Sequence, residues 1–228
     1  MTIDEIIHLL GQEYGNPGWR PRTDPLSELI AAILSQNTSD VNSHRAFEKL
    51  ISTLGGWDRV AEASSDEIAM AIGCGGLSRV KAPRIKAILE GILKTQGSLD
   101  LGFLGHLPIP EAKAWLQALP GVGPKTAGCV LLFALGKPVL PVDTHVYRVS
   151  RRLGLIDSKV SPEKAHQLLE EIVPPEAIYR FHLNMLAHGR RVCRAWHPLC
   201  HRCVLRGGCP TYKAGKNDEK GAVRAVSG

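Results

Sequence analysis

The sequence contains no apolar run long enough to cross a membrane. Although 44% of its 228 residues are hydrophobic, no stretch approaches the roughly 18 consecutive apolar residues that a transmembrane helix needs. The chain also has no repeat of fixed period, and only its polar end, residues 214–228, has the composition of a disordered tail. What remains is a chain that can bury one large core or two smaller ones.

The N-terminus MTIDEIIHLL has no basic region followed by an apolar run and a small-residue cleavage site. Nothing in it indicates export, so we expect a cytoplasmic protein. Because disulfide bonds are rare in that compartment, the six cysteines need another explanation.

Alternation of apolar and polar residues, the pattern of a β-strand, is nearly absent, and helical spacing dominates instead. Ile3, Ile6 and Leu10 recur at helical intervals, and Asp24 with Pro25 has the form of an N-cap followed by a first helical residue. Further helices are predicted at 26–34, 40–54, 65–72, 79–95, 111–118, 124–135, 143–153, 161–172 and 175–190. The pattern predicts an all-α protein with short connections.

Acidic residues are absent between Ala177 and Asn217, a segment that contains eight basic residues. They are Arg180, Arg190, Arg191, Arg194, Arg202, Arg206, Lys213 and Lys216. The chain has 28 basic and 22 acidic residues in all, so 20 basic and 22 acidic residues remain outside this segment. Such a focused positive segment indicates a polyanionic partner, most often nucleic acid. The alternative is a solvated basic face, which we favour less because the arginines alternate with clustered cysteines.

Four of the six cysteines follow the pattern C-x6-C-x2-C-x5-C: Cys193, Cys200, Cys203 and Cys209. Thiolates at this density are typical of metal ligands, and both a zinc ion and a cubane iron–sulfur cluster take four of them. A structural zinc usually draws on two C-x2-C pairs, and only Cys200 and Cys203 have that spacing. The spacing therefore favours iron–sulfur over zinc, with disulfides a weaker third alternative.

The stretch LPGVGPKTA, residues 119–127, has the features of two helices joined by a tight hairpin. Gly121 and Gly123 permit the turn, and Pro124 suits the first turn of the next helix. Backbone N–H groups of the hairpin and the helix N-terminus would together bind a phosphate oxygen. The alternative is an ordinary turn between helices.

Lys125 lies in the first turn of that helix, where the positive end of the helix dipole disfavours its charged form. A neutral amine is a nucleophile that can attack a sugar carbon and form a Schiff base, although a phosphate-binding lysine would suit the same place equally well. The presence of Asp143 favours the nucleophilic role of Lys125 over the phosphate-binding role. Asp143 has the position of an N-cap, and a carboxylate there could also deprotonate the amine and stabilise the cationic sugar left when a base departs from C1′.

These segments together resemble the endonuclease III branch of the helix–hairpin–helix DNA glycosylase superfamily. The similarity lies in LPGVGPKTA, in VDTHVYRVSRRLGL (residues 142–155) and in the cysteine pattern, and it runs from about Asp24 to Pro210. The resemblance implies that Lys125 is the Schiff-base nucleophile and Asp143 the acid that supports it. It also implies a four-iron–four-sulfur (4Fe–4S) cluster on the four cysteines.

The resemblance further implies two domains. A six-helix barrel with the helix–hairpin–helix motif, residues 22–136, would pack on a second helical domain, residues 1–21 and 137–212, that holds the cluster loop. Residues 213–228 would form a disordered tail. Double-stranded DNA with a damaged base or an abasic site would bind between the domains of a monomeric, nucleoid-associated protein, with the damaged nucleotide flipped out.

The predicted DNA contacts are Gly121, Val122, Gly123, Thr126, Gln36, Asn37, Leu77, His145, Arg190, Arg194 and Arg202. By resemblance, either Gln36 or Asn37 would fill the vacated base position, and direct register favours Asn37. Leu77 would separate the opposite strand. Its alternative is a loop leucine packed into the core.

The predicted function is a bifunctional DNA glycosylase and AP lyase that excises oxidised pyrimidines and cleaves the strand 3′ to the abasic site by β-elimination. Pro124 and Gly128 depart from the residues common in the family, which bears on the choice of lesion. One alternative is a lysine-bearing glycosylase for oxidised or alkylated purines. The other is a non-catalytic DNA-binding module with a redox-sensing cluster, which Lys125 and Asp143 disfavour.

Overall fold

The computed structural model describes residues 1–73 and 77–215, and this part of the chain is helical without any strand. Its α-helices are α1 (Ile3–Tyr14), α2 (Pro25–Ser35), α3 (Asp40–Leu54), α4 (Trp57–Glu62), α5 (Ser65–Ala71), α6 (Ser78–Gln96), α7 (Ile109–Gln117), α8 (Pro124–Cys129), α9 (Thr144–Leu153), α10 (Pro162–Ile172) and α11 (Ile178–Arg191). None of the described helices combines the length and apolarity needed to span a membrane. The predicted all-α class is confirmed.

The chain forms two compact units, Arg20–Val139 and a second unit made of Met1–Trp19 with the chain from Leu140 onward. The sequence predicts domain boundaries after residues 21 and 136. The boundaries between the two units of the structure fall after residues 19 and 139. Of the predicted tail, residues 213–215 lie in a helical segment at 210–215, and residues 216–228 lie outside the described part.

In the unit Arg20–Val139, α2 is the central helix. Its start is fixed by Asp24, whose side chain accepts a hydrogen bond from the Ser27 N–H at 2.9 Å. Leu29, Ile30 and Ile33 are fully buried, and each such side chain contributes about 1.5–3 kcal/mol relative to an exposed one. Burial of these side chains fixes α2 in the unit. It therefore also fixes the position of Gln36, which follows α2 and contacts the hairpin before α8.

The other unit is organised around α11, which contacts both α9 and α1. Phe181 and Met185 of α11 are buried, as are Val149 of α9 and Leu10 of α1. Asn184 adds a hydrogen bond from Nδ2 to the backbone oxygen of Gly15, 3.0 Å away. The N-terminal helix is therefore an integral part of the unit that contains the cysteine segment.

Candidate active site and cysteine cavity

The hairpin between α7 and α8 depends on glycine at position 121. Gly121 has φ +73°, in the left-handed region, and a Cβ atom there would overlap the Arg84 side chain. Gly123 is extended and caps α8, with Pro124 as the first helical residue. Val122 is buried, so any contact that it makes to DNA must come from its backbone.

Gln36 holds the hairpin from the end of α2. Its amide nitrogen Nε2 donates to the backbone oxygen of Gly121 and to Oγ1 of Thr126, both at 3.2 Å. Its Oε1 accepts a hydrogen bond from Nη1 of Arg84 at 2.9 Å. Asn37, by contrast, is exposed and has a left-handed φ of +52°. The Gln36 side chain thus braces the hairpin, and the prediction that one of the two residues fills a vacated base position stays a prediction.

Leu77 and the predicted phosphate-binding arginines lie on the surface. Leu77 is 52% exposed with φ +52° at the start of α6, so it does not pack into the core as the alternative prediction held. Gly75 and Gly76, which precede Leu77, lie outside the described residues. Arg190, Arg194 and Arg202 are all exposed.

Lys125 is partly exposed in the first turn of α8, and a buried carboxylate lies near it. Glu28 of α2 is only 4% exposed, and its Oε1 lies 3.5 Å from Nη1 of Arg22. Burial raises the pKa of the Glu28 carboxyl, and the charges of Arg22 and Lys125 lower that pKa only in part. Sequence reasoning missed Glu28. Its signal was a single charged residue inside the apolar run LSELIAAIL.

Replacing Glu28 by Gln is expected to stabilise the protein at neutral pH. The folded state raises the pKa of Glu28 above its ordinary value of 4.5, so ionisation of this group disfavours the folded state. The wild-type protein therefore loses stability as pH rises from about 4.5 through the raised pKa. The variant lacks this loss, so its advantage should grow over that interval and then stay constant. Thermal unfolding at a series of pH values measures it.

Glu67 provides a control, because its pKa shifts in the direction opposite to that of Glu28. Hydrogen bonds from Ser64 lower the pKa of Glu67, so its stabilising contribution is present above its ordinary value of 4.5 and is lost as pH falls. Glu67→Gln should accordingly be less stable than wild type at neutral pH. A destabilised Glu28→Gln variant would mean that the ion pair with Arg22 outweighs the cost of burial.

Asp143 caps α9, as its position in the sequence predicts. Oδ1 accepts hydrogen bonds from the backbone N–H groups of His145 at 2.9 Å and Val146 at 2.7 Å. Both bonds end on Oδ1, so Oδ2 is the oxygen suited to face a substrate. Asp143 and Lys125 belong to different units of the fold.

The same helix binds the cysteine segment through two arginines that sequence reasoning missed. Arg148 donates from Nε to the backbone oxygen of Cys193 at 3.0 Å and from Nη2 to that of Gly189 at 2.8 Å. Arg152, one turn later, donates to the backbone oxygen of Arg194 at 2.6 Å. Their i, i+4 spacing within VYRVSRRL places both arginines on one face of a helix, and this spacing is visible in the sequence. His145, a predicted DNA contact, is partly buried, with Nδ1 3.1 Å from Nη2 of Arg148.

All four clustered cysteines line one cavity of about 400 Å³. Burial and the other three thiols raise the pKa of Cys203 to about 11, and burial with Cys193 and Cys209 raises the pKa of Cys200. Four thiolates can therefore coexist here only with a positively charged group among them.

His188 supports the cavity from α11. It is buried, and burial lowers its pKa to about 4, so the imidazole is neutral at physiological pH. Nδ1 lies 3.0 Å from the Tyr14 hydroxyl, and Nε2 lies 3.4 Å from Sγ of Cys203. With Nδ1 accepting from Tyr14, Nε2–H donates to the sulfur, an outer-shell contact typical of metal sites.

The donor set is four thiols, which chemically suits either a zinc ion or a 4Fe–4S cluster. Among the described residues, no three His, Cys, Asp or Glu side chains are gathered tightly enough to hold one metal ion. The four cysteines nevertheless line one cavity, and four thiolates are the ligand set that a 4Fe–4S cluster takes.

The sequence matches the model of the HhH-GPD superfamily of base excision DNA repair proteins over residues 30–175, more than half of the chain. The chain belongs to the HhH-GPD superfamily. This HhH-GPD protein is 35% identical over 222 residues to endonuclease III of Thermotoga maritima, and the alignment covers 97% of each chain. It is 36% identical over 194 residues to a candidate DNA glycosylase of Arabidopsis thaliana, of whose length it spans 64%.

The fold of this HhH-GPD protein is also that of endonuclease III. A solved structure of endonuclease III trapped as a covalent intermediate with DNA superposes with a TM-score of 0.79 at 28% identity. The superposition covers 95% of this chain and 99% of that one. The predicted family and the predicted helix–hairpin–helix glycosylase fold are confirmed.

Proposed function

We propose that this protein is a bifunctional DNA glycosylase and AP lyase of base excision repair, acting as a monomer on double-stranded DNA. The observation that carries the proposal is the hairpin, which places an amine, Lys125, in the first turn of α8 directly after Gly121–Gly123. Similarity to endonuclease III over nearly the whole chain supports it. So does the solved structure of endonuclease III, because that protein was trapped covalently on DNA.

In the proposed reaction, backbone N–H groups of the hairpin bind a DNA phosphate and hold the flipped nucleotide beside Lys125. The lone pair of Nζ attacks C1′. The N–C1′ bond forms as the glycosidic bond breaks, and the base leaves with a proton. Asp143 stabilises the positive charge that develops on the sugar, using Oδ2 because Oδ1 is committed to the N-cap of α9.

The resulting Schiff base makes strand cleavage possible. Cleavage of the C1′–O4′ bond, with uptake of a proton by O4′, opens the ring and leaves C1′ double-bonded to Nζ as an iminium. That iminium acidifies the C2′ proton, and removal of this proton expels the 3′ phosphate by β-elimination. Water then releases Lys125 as a free amine.

We infer that the four cysteines hold a 4Fe–4S cluster. Support comes from the single cavity that they line and from the His188 N–H directed at Cys203. When bound, the cluster supplies the positive charge that four thiolates require and cross-links the segment between Cys193 and Cys209. Arg148 and Arg152 then hold that cross-linked segment on α9.

A cleavage screen tests the proposed function. Duplexes that are identical except for one lesion would carry an oxidised pyrimidine, an oxidised purine, an alkylated purine or an abasic site, each with and without borohydride. We expect cleavage and covalent trapping on the oxidised pyrimidine and the abasic duplexes. Preferential cleavage of either purine lesion would favour the alternative glycosylase, and binding without any trapping would favour the non-catalytic module.

A further inference from the structure

Trp196 lies between the first two clustered cysteines and is 85% exposed, more than any other large hydrophobic residue in the described part of the chain. A single exposed apolar side chain needs no explanation by itself. Trp196 is unusual because the backbone that carries it is fixed, and because its surroundings are strongly basic.

The loop that carries Trp196 is closed at its base and bound on one side. The N–H groups of Arg194 and Leu199 both donate to the backbone oxygen of Val192 at 2.9 Å, which closes the loop 192–199. Arg152 donates from Nη1 to the backbone oxygen of Arg194 at 2.6 Å and from Nη2 to that of Ala195 at 3.1 Å. These bonds fix the backbone on the N-terminal side of Trp196.

The residue after Trp196 turns the chain sharply. His197 has φ +50°, in the left-handed region, where a residue other than glycine costs about 1–2 kcal/mol. The loop maintains this strained turn at an exposed position, next to the exposed indole. Trp196 is thus presented outward by a defined backbone.

The charge around Trp196 indicates what it contacts. Arg194, Arg202 and Arg206 are exposed, and no acidic residue occurs between Ala177 and Asn217. A partner for this surface must be anionic and must also offer apolar area to an indole. The backbone of duplex DNA has both properties, because each phosphate alternates with a deoxyribose ring.

We propose that Trp196 packs its indole against the deoxyribose of the DNA backbone while Arg194 binds a flanking phosphate. The proposal deepens the proposed function, since it rests on DNA as the partner and adds an uncharged anchor to the charged contacts. In protein–protein interfaces, tryptophan and arginine are among the residues that most often dominate the binding energy.

Binding measurements over a range of salt concentrations test this proposal. The protein is titrated with an undamaged duplex and with a duplex that carries an uncleavable abasic analogue. We expect Trp196→Ala to weaken binding to both on the order of tenfold, the scale of an aromatic anchor, with an unchanged slope of log affinity against log salt. Trp196→Phe should recover part of the loss because it keeps an aromatic face.

Variants of other residues separate this contact from a charged one and from a general loss of structure. Arg194→Ala with Arg202→Ala should lower the salt slope by about 0.9 for each phosphate contact removed. Ile172→Ala changes an exposed apolar residue of the same unit beside Glu170 and Glu171, and it should bind as wild type does. Iron content and thermal unfolding should match wild type in the Trp196 variants.

Wild-type affinity for DNA in the Trp196→Ala variant, or a changed salt slope, would overturn the proposal. So would a variant that binds DNA normally but loses affinity for vesicles of anionic lipid. If the wild-type protein binds duplex DNA but cleaves no lesion, the proposed function fails. The assignment of Trp196 stands in that case if its removal still weakens binding.

Discussion

Lys125→Gln should bind abasic duplex with nearly wild-type affinity but should give neither a borohydride-trapped complex nor strand cleavage. Glutamine keeps a hydrogen-bond donor at the first turn of α8 but has no nucleophilic amine. Lys125 is partly exposed and the hairpin is braced by Gln36 and Arg84, so the fold should tolerate the change. Denaturing electrophoresis of the borohydride-treated reaction measures both the trapped complex and the nick.

Lys94→Gln serves as the matched control, because Lys94 is exposed on α6 in the same unit. This control should trap and cleave as wild type does. Covalent trapping by the Lys125 variant on abasic DNA would show that another amine is the nucleophile. Lys125 would then be the phosphate-binding lysine that its position also allows.

Purified protein is expected to be yellow-brown, with broad absorption at about 400 nm and roughly four irons per chain. Cys203→Ala should lose iron and become poorly soluble, because the loops between the cysteines bury few apolar side chains of their own. Leu205 is one of the few buried residues there. Iron analysis, absorption spectra and the soluble yield measure the outcome.

Cys129→Ala separates cluster ligation from a general effect of removing a cysteine. Cys129 is buried in the unit Arg20–Val139 and is not among the cavity-lining cysteines. This variant should keep its colour and its iron. Colourless, fully folded wild-type protein with one zinc per chain would contradict the assignment of a cluster.

Local patterns were sufficient to predict most helices. The predicted helix at 40–54 coincides with α3, and the predicted helix at 124–135 covers α8 with the π-helical turn Val130–Ala134 that follows it. Helix α4 was not predicted. It has only six residues and starts directly after Gly55 and Gly56, which both adopt positive φ and interrupt any helical pattern.

The environment of the candidate site was much less predictable than its motifs. The hairpin and the cysteine spacing are short and local, so they can be recognised in sequence. Gln36 forms a hydrogen bond with Gly121, 85 positions away in the sequence, and Arg84 forms one with Gln36, 48 positions away. Pairings of that separation depend on how helices pack, which periodicity alone does not encode. The buried position of Glu28 is a consequence of the same packing.

Helix α9 has Asp143 at its first end and the arginines that hold the cysteine segment on its following turns. The ten residues of α9 span about 15 Å, so one rigid element joins the proposed catalytic acid to the segment of the proposed cluster. A chain that has not received its cluster would leave Arg148 and Arg152 without an ordered partner, and α9 would lose a support. Binding of the proposed cluster would then also support the helix that begins at the proposed catalytic acid.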